Sequence, residues 1–338
     1  MVISLSLIRG LFPLTTEKQA QINDKNSLES TGLKTAVLIP CHNEGITIGG
    51  VIDKFRRQLP SAAIYVFDNC STDSTAAIAN EHGAVVIKEP RKGKGFVVES
   101  MFNRINADIY LMVDGDDTYP ADYADKLLEP VIAGDADMVV GARLADCSDK
   151  SFRPLHVFGN RLVRRLVNWV GKAQLTDIMS GYRAFTRRVV ERVPVVSSGF
   201  EVETEMTIQM LYYRLKIIEV NVPYQARPTG SNSKLRTFSD GFRVLWKIFS
   251  LFRAFKPLTF FGGVGLLFLV LGLLAGILPI HDYFTNPDHY VRHVPLAILA
   301  TGLIILSGGF IFLGVLLHAL NWRFWELHNV LTRNQMTK

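Results

Sequence analysis

The sequence predicts an α/β domain with a mostly parallel central sheet, followed by an interfacial helix and two transmembrane helices. Three observations predict it. Short apolar runs alternate with helical patterns from Ala36 to Val113, and crossovers of that length join parallel strands. Polar residues gather directly after the apolar runs, where an open sheet binds its ligands. Two uncharged runs, Leu258 to Ile280 and Val294 to Leu320, are each long enough to span a bilayer.

In chain order, Met1 to Leu14 is mildly apolar, contains Arg9 and has no small-residue cleavage site. It reads as an extension, not a signal peptide. Thr15 to Leu33 is polar and rich in turn formers, so residues 1–33 form an N-terminal extension. Strands are expected at Ala36 to Ile39, Ile64 to Phe67, Ala84 to Ile87 and Asp108 to Val113. Helices are expected at Ile46 to Leu59, at Ala76 to Glu81, and from the Gly93-Lys94-Gly95 turn to about Ile105. Asp137 to Val140 is a further strand, Phe152 to Trp169 and the stretch from Glu205 to Leu215 are helical, and Ile217 to Tyr224 is an apolar strand. The catalytic unit is therefore placed at residues 34–238.

The first chemical centre is Asp114-Gly115-Asp116-Asp117 at the end of the fourth strand. If strand geometry persists, Asp114 and Asp116 point the same way and suit a hard divalent cation such as Mg²⁺ or Mn²⁺. An acidic turn capping the next helix is the plainer alternative. Glu44, Asp68 and Lys94 also follow strands and should converge on the same sheet edge. Asp68 can accept hydrogen bonds from a ribose or base, or it can cap the following helix with Ser71. Gly93-Lys94-Gly95 sets an ammonium in a flexible backbone, which suits a pyrophosphate. The Gly93-Lys94-Gly95 turn lacks the Walker spacing, and no G-x-G-x-x-G follows the first strand, which argues against a nicotinamide enzyme.

Further along, Arg143 ends the Asp137 strand and is a candidate for the pyrophosphate, or a surface partner of Asp146 or Asp149. The 152–169 helix carries Arg153, Arg161, Arg164 and Arg165, a solvated face or one that meets lipid phosphates. Asp177 to Arg183 is a distinctive segment in which Asp177 can orient Arg183. Glu201, Glu203 and Glu205 alternate with small or apolar residues, so at least one is held inside, as a ligand or a partner for arginine. Arg227, Ser231 and Lys234 lie on a segment with glycine and proline breaks that can fold over a pyrophosphate as a lid.

Four of these motifs, in order on strand ends, resemble the family 2 glycosyltransferases of the GT-A fold. They are Val37-Leu38-Ile39-Pro40 with His42-Asn43-Glu44, Asp68-Asn69-Cys70-Ser71-Thr72-Asp73-Ser74-Thr75, Gly93-Lys94-Gly95, and Asp114-Gly115-Asp116. The Thr176 to Phe185 segment and the Arg227 to Lys234 loop resemble the branch that includes dolichyl-phosphate mannose synthase-like and bactoprenyl glucosyltransferase-like enzymes. The resemblance implies a nucleotide-sugar donor held by Pro40, Asn43, Glu44, Asp68, Lys94, Arg143, Arg227, Ser231 and Lys234. It implies Mg²⁺ or Mn²⁺ on Asp114 and Asp116, with Asp177 and Arg183 near the reacting phosphate. It also implies inversion at the sugar C1 and an acceptor that is a polyprenyl phosphate, dolichyl or undecaprenyl. Many relatives have Asp-Ala-Asp-Leu-Gln where this chain has Asp114-Gly115-Asp116-Asp117-Thr118. That difference bears on the donor sugar, since the residues after the second aspartate border the sugar region. A UDP-sugar is expected, with GDP-mannose as the alternative.

Composition agrees with a lipid and phosphate partner. The net charge is +6 with clustered basic residues, and no nucleic-acid recognition module is present. Cys41, Cys70 and Cys147 are widely spaced, which fits a reducing compartment and no zinc site. Residues 239–257 alternate aromatic and basic side chains and should lie in the membrane interface. The spans within 258–320 form a hairpin, because cations precede the first and Arg323 follows the second. The reading is thus an integral membrane protein whose catalytic domain, N-terminus and 321–338 tail are cytoplasmic, with a homo-oligomer compatible with it. A processive polysaccharide synthase would need more spans and a Gln-x-x-Arg-Trp segment, and the chain has neither.

Overall fold

The computed structural model describes residues 32–144, 163–169, 171–228 and 237–336. Expectations placed on residues 1–31, Arg153, Arg161, Ser231 and Lys234 fall outside them. Two compact units divide the chain, one through Val244 and one from Leu245.

The first unit is built on β1 (Thr35–Cys41), an apolar strand whose side chains serve both faces of the sheet. Val37, Ile39 and Cys41 enter one core; Ala36 and Leu38 enter the other. This alternation follows from the two-residue period of a strand. It also explains why the run carries no polar break, since a sheet covered on both faces has no solvent side. On the first face β1 packs with α1 (Ile48–Gln58), through Ile48, Val51, Ile52 and Phe55. The apolar positions of α1 recur at helical spacing, so one stripe is buried while Asp53 and Arg57 remain outside. Phe55 is wholly buried, and its truncation to alanine would cost about 3–5 kcal/mol.

Strands β2 (Ala63–Asp68), β3 (Val85–Lys88) and β4 (Ile109–Met112) add in parallel, β2 and β4 flanking β1. Between them run α2 (Thr75–Glu81) and α3 (Lys94–Arg104). A short 3-10 turn (Ala121–Tyr123) and α4 (Ala124–Ile132) lead to β5 (Met138–Leu144). A helical segment, α5, covers residues 163–169. Then come β6 (Arg183–Thr186), α6 (Arg187–Arg192), α7 (Val202–Tyr212) and β7 (Ile217–Pro223). The second core joins α3 and α7 to the sheet through Val97, Val98, Met101, Val202, Met206 and Met210.

The seven strands lie in the order β3-β2-β1-β4-β6-β5-β7. β6 runs antiparallel to both β4 and β5, while β5 and β7 are parallel. The mostly parallel sheet is as expected, and the reversed β6 is not something the strand-helix alternation announces. This reversal matters for the site. It brings the start of β6, with Gly181 and Ser180 just before it, to the same edge as the carboxyl ends of β1, β2, β4, β5 and β7.

In the second unit, α9 (Pro257–Thr285) and α10 (Val294–Met336) form a hairpin, and Phe268 of α9 stacks on Phe310 of α10 at 5.4 Å. Within Pro257–Thr285 and Val294–Phe324, 18-residue windows have mean hydropathies of 2.5 and 2.4, so both helices are long and apolar enough to cross a membrane. Their leucines and isoleucines point outward, among them Leu266, Leu273, Ile298 and Ile305. Such a surface is stable against lipid and would aggregate in water. Before them, α8 (Thr237–Phe255) exposes Phe242, Trp246 and Phe249, the pattern of an interfacial helix.

Candidate active site

β4 ends at Met112, so strand geometry does not carry Asp114 and Asp116; a turn does. Thr47 at the start of α1 donates its hydroxyl to the Gly115 carbonyl at 2.7 Å and fixes that turn. Asp116 is almost fully buried. Its Oδ1 accepts from the Thr118 hydroxyl at 2.6 Å and its Oδ2 faces the Arg227 guanidinium at 2.5 Å. Burial and the nearby Asp114 charge raise the Asp116 carboxyl, against the pull of Thr118, Arg227 and Lys94. Asp114 meets the Lys94 ammonium at 2.5 Å and is packed against Gly181, where a Cβ would lie 2.3 Å from its Oδ2. The glycine is there because the carboxylate fills the space a side chain would need.

Lys94 also reaches Glu203, in the first turn of α7, at 2.6 Å. Burial alone would lower this ammonium, but Asp114 and Glu203 outweigh it and raise it well above its ordinary value. The flanking glycines serve packing. A Cβ on Gly95 would stand 1.8 Å from the Ser197 carbonyl oxygen, and one on Gly93, which has φ +139, would stand 2.1 Å from the Ser198 carbonyl oxygen. The sequence reading assigned these glycines to flexibility around a pyrophosphate, whereas the structure assigns them to close contact with the 197–198 backbone.

The turns after β1 and β2 are stitched together. Pro40 pairs in register with Phe67 near the end of β1. Asn43 accepts from the Thr72 amide at 2.7 Å and donates its own amide to the Ser71 hydroxyl. The Glu44 amide donates to the Thr75 hydroxyl, and the Glu44 carbonyl accepts the first amides of α1. Asp68 is buried and accepts from the Ser71 amide at 3.2 Å within the turn; α2 begins only at Thr75, whose amide donates to Asp73, so Asp68 does not cap it. Asn69 ties this turn to the next by accepting from the Gly93 amide at 2.7 Å.

At the far side, Arg143 at the end of β5 grips Asp177 through two guanidinium nitrogens, at 2.7 and 3.0 Å, and its own amide. Asp146 and Asp149, the partners weighed above, lie outside the described residues; against the effect of burial, Arg143 holds the Asp177 carboxyl below its ordinary value. Asp177 therefore orients Arg143 and not Arg183. The Arg183 guanidinium is wholly buried and donates to the carbonyls of Ser180 and Ile178 and to the Thr207 hydroxyl. Burial lowers it from its ordinary value. Tyr119, whose ring meets Tyr224 at 5.5 Å, takes the Gly181 amide on its hydroxyl at 3.2 Å. Tyr224 in turn covers the Arg143 guanidinium.

Four contributors owe their roles to tertiary contacts. Of the three glutamates, at least one of which is expected inside as a ligand or a partner for arginine, Glu203 and Glu205 are buried, and Glu203 meets Lys94. Glu205 binds the backbone amides of Val196 and Ser197. Thr118 and Tyr119 are spacer positions in sequence, and only the turn after β4 gives them their roles. Asp114 and Asp116 present hard oxygen donors, and no group of three or more His, Cys, Asp or Glu suited to a metal occurs among the described residues. Two carboxylates of this kind would suit Mg²⁺ or Mn²⁺, hard cations that take oxygen donors.

Residues 36–193 match glycosyl transferase family 2. The chain is 33% identical over 281 residues to Glycosyltransferase AglJ of Haloferax volcanii, covering 83% of this chain and 91% of that protein. It is 30% identical to a Dolichyl-phosphate hexose transferase of the same organism, over 61% of this chain and 88% of the other. In fold it is similar to glucosyl-3-phosphoglycerate synthase from Mycobacterium tuberculosis, solved with Mn²⁺, UDP-glucose and phosphoglyceric acid. That likeness has a TM-score of 0.57 at 22% identity and covers 68% of this chain and 83% of that one.

Proposed function

This chain belongs to glycosyl transferase family 2 and is a glycosyltransferase, and we propose that it moves a sugar from a UDP-sugar to a polyprenyl phosphate at the cytoplasmic face of a membrane. The observation that carries the reading is the pairing of Asp114 with Lys94 and of Asp116 with Arg227 at one sheet edge. A departing nucleoside diphosphate needs both a metal-binding carboxylate pair and fixed cations, and this edge supplies the two together. Support for a lipid-phosphate acceptor comes from the two apolar helices and from relatives such as the Dolichyl-phosphate hexose transferase.

In the proposed reaction the bond from the sugar C1 to the diphosphate oxygen breaks. An acceptor phosphate oxygen bonds to C1 from the opposite side, which inverts it. Asp114 and Asp116 would hold Mg²⁺ or Mn²⁺, which when bound offsets charge on the diphosphate. The turns bearing Asn43 and Asp68 hold the nucleoside, and Lys94 holds Asp114 in place. Arg143, set by Asp177 and Tyr224, faces phosphate. Arg183 acts through the carbonyls of residues 178 and 180, so it is a positioning residue. The acceptor oxygen is already anionic at neutral pH, so alignment carries more of the rate than a general base. Arg253 and Lys256 before α9, and Arg323 in the last part of α10, favour a hairpin with both ends in the cytoplasm.

The test uses the purified full chain in detergent with a panel of radiolabelled UDP-sugars and GDP-mannose, each with undecaprenyl or dolichyl phosphate. Lipid-extractable label from one UDP-sugar is the expected result. Label from GDP-mannose alone would reassign the donor, and no transfer to either lipid would overturn the acceptor.

A further inference from the structure

The turn that carries Asp114 and Asp116 is gripped from α1 at two points, one on each side of Asp116. Thr47 donates its hydroxyl to the Gly115 carbonyl at 2.7 Å. Lys54, further along the same helix, donates to both carboxylate oxygens of Asp117 at 2.7 Å. Positions 47 and 54 are two helical turns apart, so both side chains leave α1 on one face. A helical side chain leans toward the helix N-terminus, which brings the Lys54 ammonium back toward Thr47. Gly115 is also pressed onto β1, where a Cβ would stand 2.6 Å from Cys41 Sγ. Asp116 is thus the middle of a short span whose two ends are fixed.

The Lys54 pair does two things to that span. Asp117 has φ +58, a backbone that a residue other than glycine keeps only where contacts fix it, and Lys54 supplies such a contact. Asp117 also adds another carboxylate beside Asp114 and Asp116. Left without a cation, it would repel both and compete with them for a metal. With both oxygens on Lys54 it is turned to α1 and its charge is offset. The pair is 41% exposed at Lys54 and 20% at Asp117, so it carries little of the core.

We propose that Lys54, acting through Asp117, is a positioning residue for the divalent cation. It holds Asp116 at the spacing from Asp114 that the cation needs and keeps Asp117 from its coordination. This rests on the metal-dependent reading given above and adds to it a residue outside the motifs at the strand ends.

The test compares the full-length protein in detergent with the double variant Lys54→Met/Asp117→Asn. The two substitutions conserve net charge, so a change in Mn²⁺ affinity cannot come from altered charge alone. Asparagine tolerates the left-handed backbone, so the turn is not forced open. Mn²⁺ binding at saturating UDP is followed by electron paramagnetic resonance, and UDP binding without metal by calorimetry in the presence of a chelator. The double variant is expected to bind Mn²⁺ about tenfold more weakly, as loss of a group that orients a metal ligand does elsewhere. The spectrum of the bound ion should broaden, while metal-free UDP binding is unchanged. Lys54→Arg, which keeps a two-pronged grip on the carboxylate, should behave as the unaltered chain. Thermal unfolding confirms that each variant folds. Unchanged Mn²⁺ affinity and spectrum in the double variant would overturn the proposal and leave a surface ion pair. An equal loss of metal-free UDP binding would also overturn it, since a general loosening weakens both. Mn²⁺ binding undiminished in Asp116→Asn would instead overturn the metal reading itself, and this proposal with it.

Discussion

Replacing Lys94 with methionine isolates the strongest electrostatic element of the site. The ammonium lies 2.5 Å from Asp114 and 2.6 Å from Glu203, with side-chain exposures of 11% for Lys94, 25% for Asp114 and 4% for Glu203. Methionine keeps the stem but leaves two carboxylates facing one another. Breaking a buried pair costs about 3–5 kcal/mol, and solvent around Asp114 screens its share, so about 3 kcal/mol is expected. Adding Glu203→Gln removes the more buried of the two charges and should restore about 2 kcal/mol, a coupling of the size found between contacting residues. Amide hydrogen exchange of the full chain in detergent reads this locally, in the first turns of α3 and α7. A loss of 3 kcal/mol accelerates exchange from the open state by roughly 100-fold. Exchange faster by less than about tenfold, or no recovery in the double variant, would refute the three-membered ion cluster.

Asp116→Asn is expected to lower transfer by about 10²–10³-fold with the fold retained, and a chelator should abolish activity of the unaltered enzyme until Mg²⁺ or Mn²⁺ is restored. Undiminished activity in either case argues against the metal. Gly181→Ala places a methyl 2.3 Å from Asp114 Oδ2 and must push that carboxylate aside. A displacement of about 1 Å costs about 10²-fold in rate, measured as kcat at saturating donor while thermal stability is followed separately. Acid stability should reflect Glu89, whose carboxyl is held down to about 2 from 4.5, first by hydrogen bonds from the Arg91 side chain. A depressed carboxyl stabilises the fold fully above its unfolded value and loses that contribution as pH falls from 4.5 toward 2. Glu89→Gln should therefore flatten the stability curve across that window in an acid-unfolding titration.

Much of the sheet was legible because β1, β2 and β4 are short apolar runs followed at once by polar turns. Strand ends also located Asp114, Asp116, Asp68 and Lys94 without any knowledge of pairing. What escaped has a common cause. β6 is four residues long and reversed, and its identity depends on hydrogen bonds to β4 and β5, which no local pattern announces. Glu203 is distant from Lys94 in sequence and meets it only when α3 and α7 pack on the same face. Arg183 holds a motif position that the resemblance sets near the reacting phosphate, and its guanidinium is turned into the core, where two carbonyls and the Thr207 hydroxyl satisfy it. A charged residue after a strand announces an edge; which way its side chain turns is decided by tertiary contacts.

The residues following Asp116 show how that distinction shapes the site. Asp117 has φ +58, and both its oxygens meet Lys54 of α1 at 2.7 Å. Thr118 is wholly buried and spends its hydroxyl on Asp116. Both side chains are thus engaged within the protein, at positions that the family resemblance sets beside the sugar region. The left-handed Asp117 has counterparts in Asn43 at φ +54 and Cys70 at φ +58, each in the turn that follows a neighbouring strand. Holding a residue other than glycine there costs on the order of 1–3 kcal/mol, and such conformations last only where surrounding contacts fix them. The contacts are present at all three turns: Thr72 and Ser71 on Asn43, the Pro90 carbonyl beside the Cys70 thiol, and Lys54 on Asp117. Strain collected at three adjacent strand ends, and opposed there by bonds between turns, gives the site a shape set before any ligand arrives. Pre-set geometry of this kind is what a reaction limited by alignment requires.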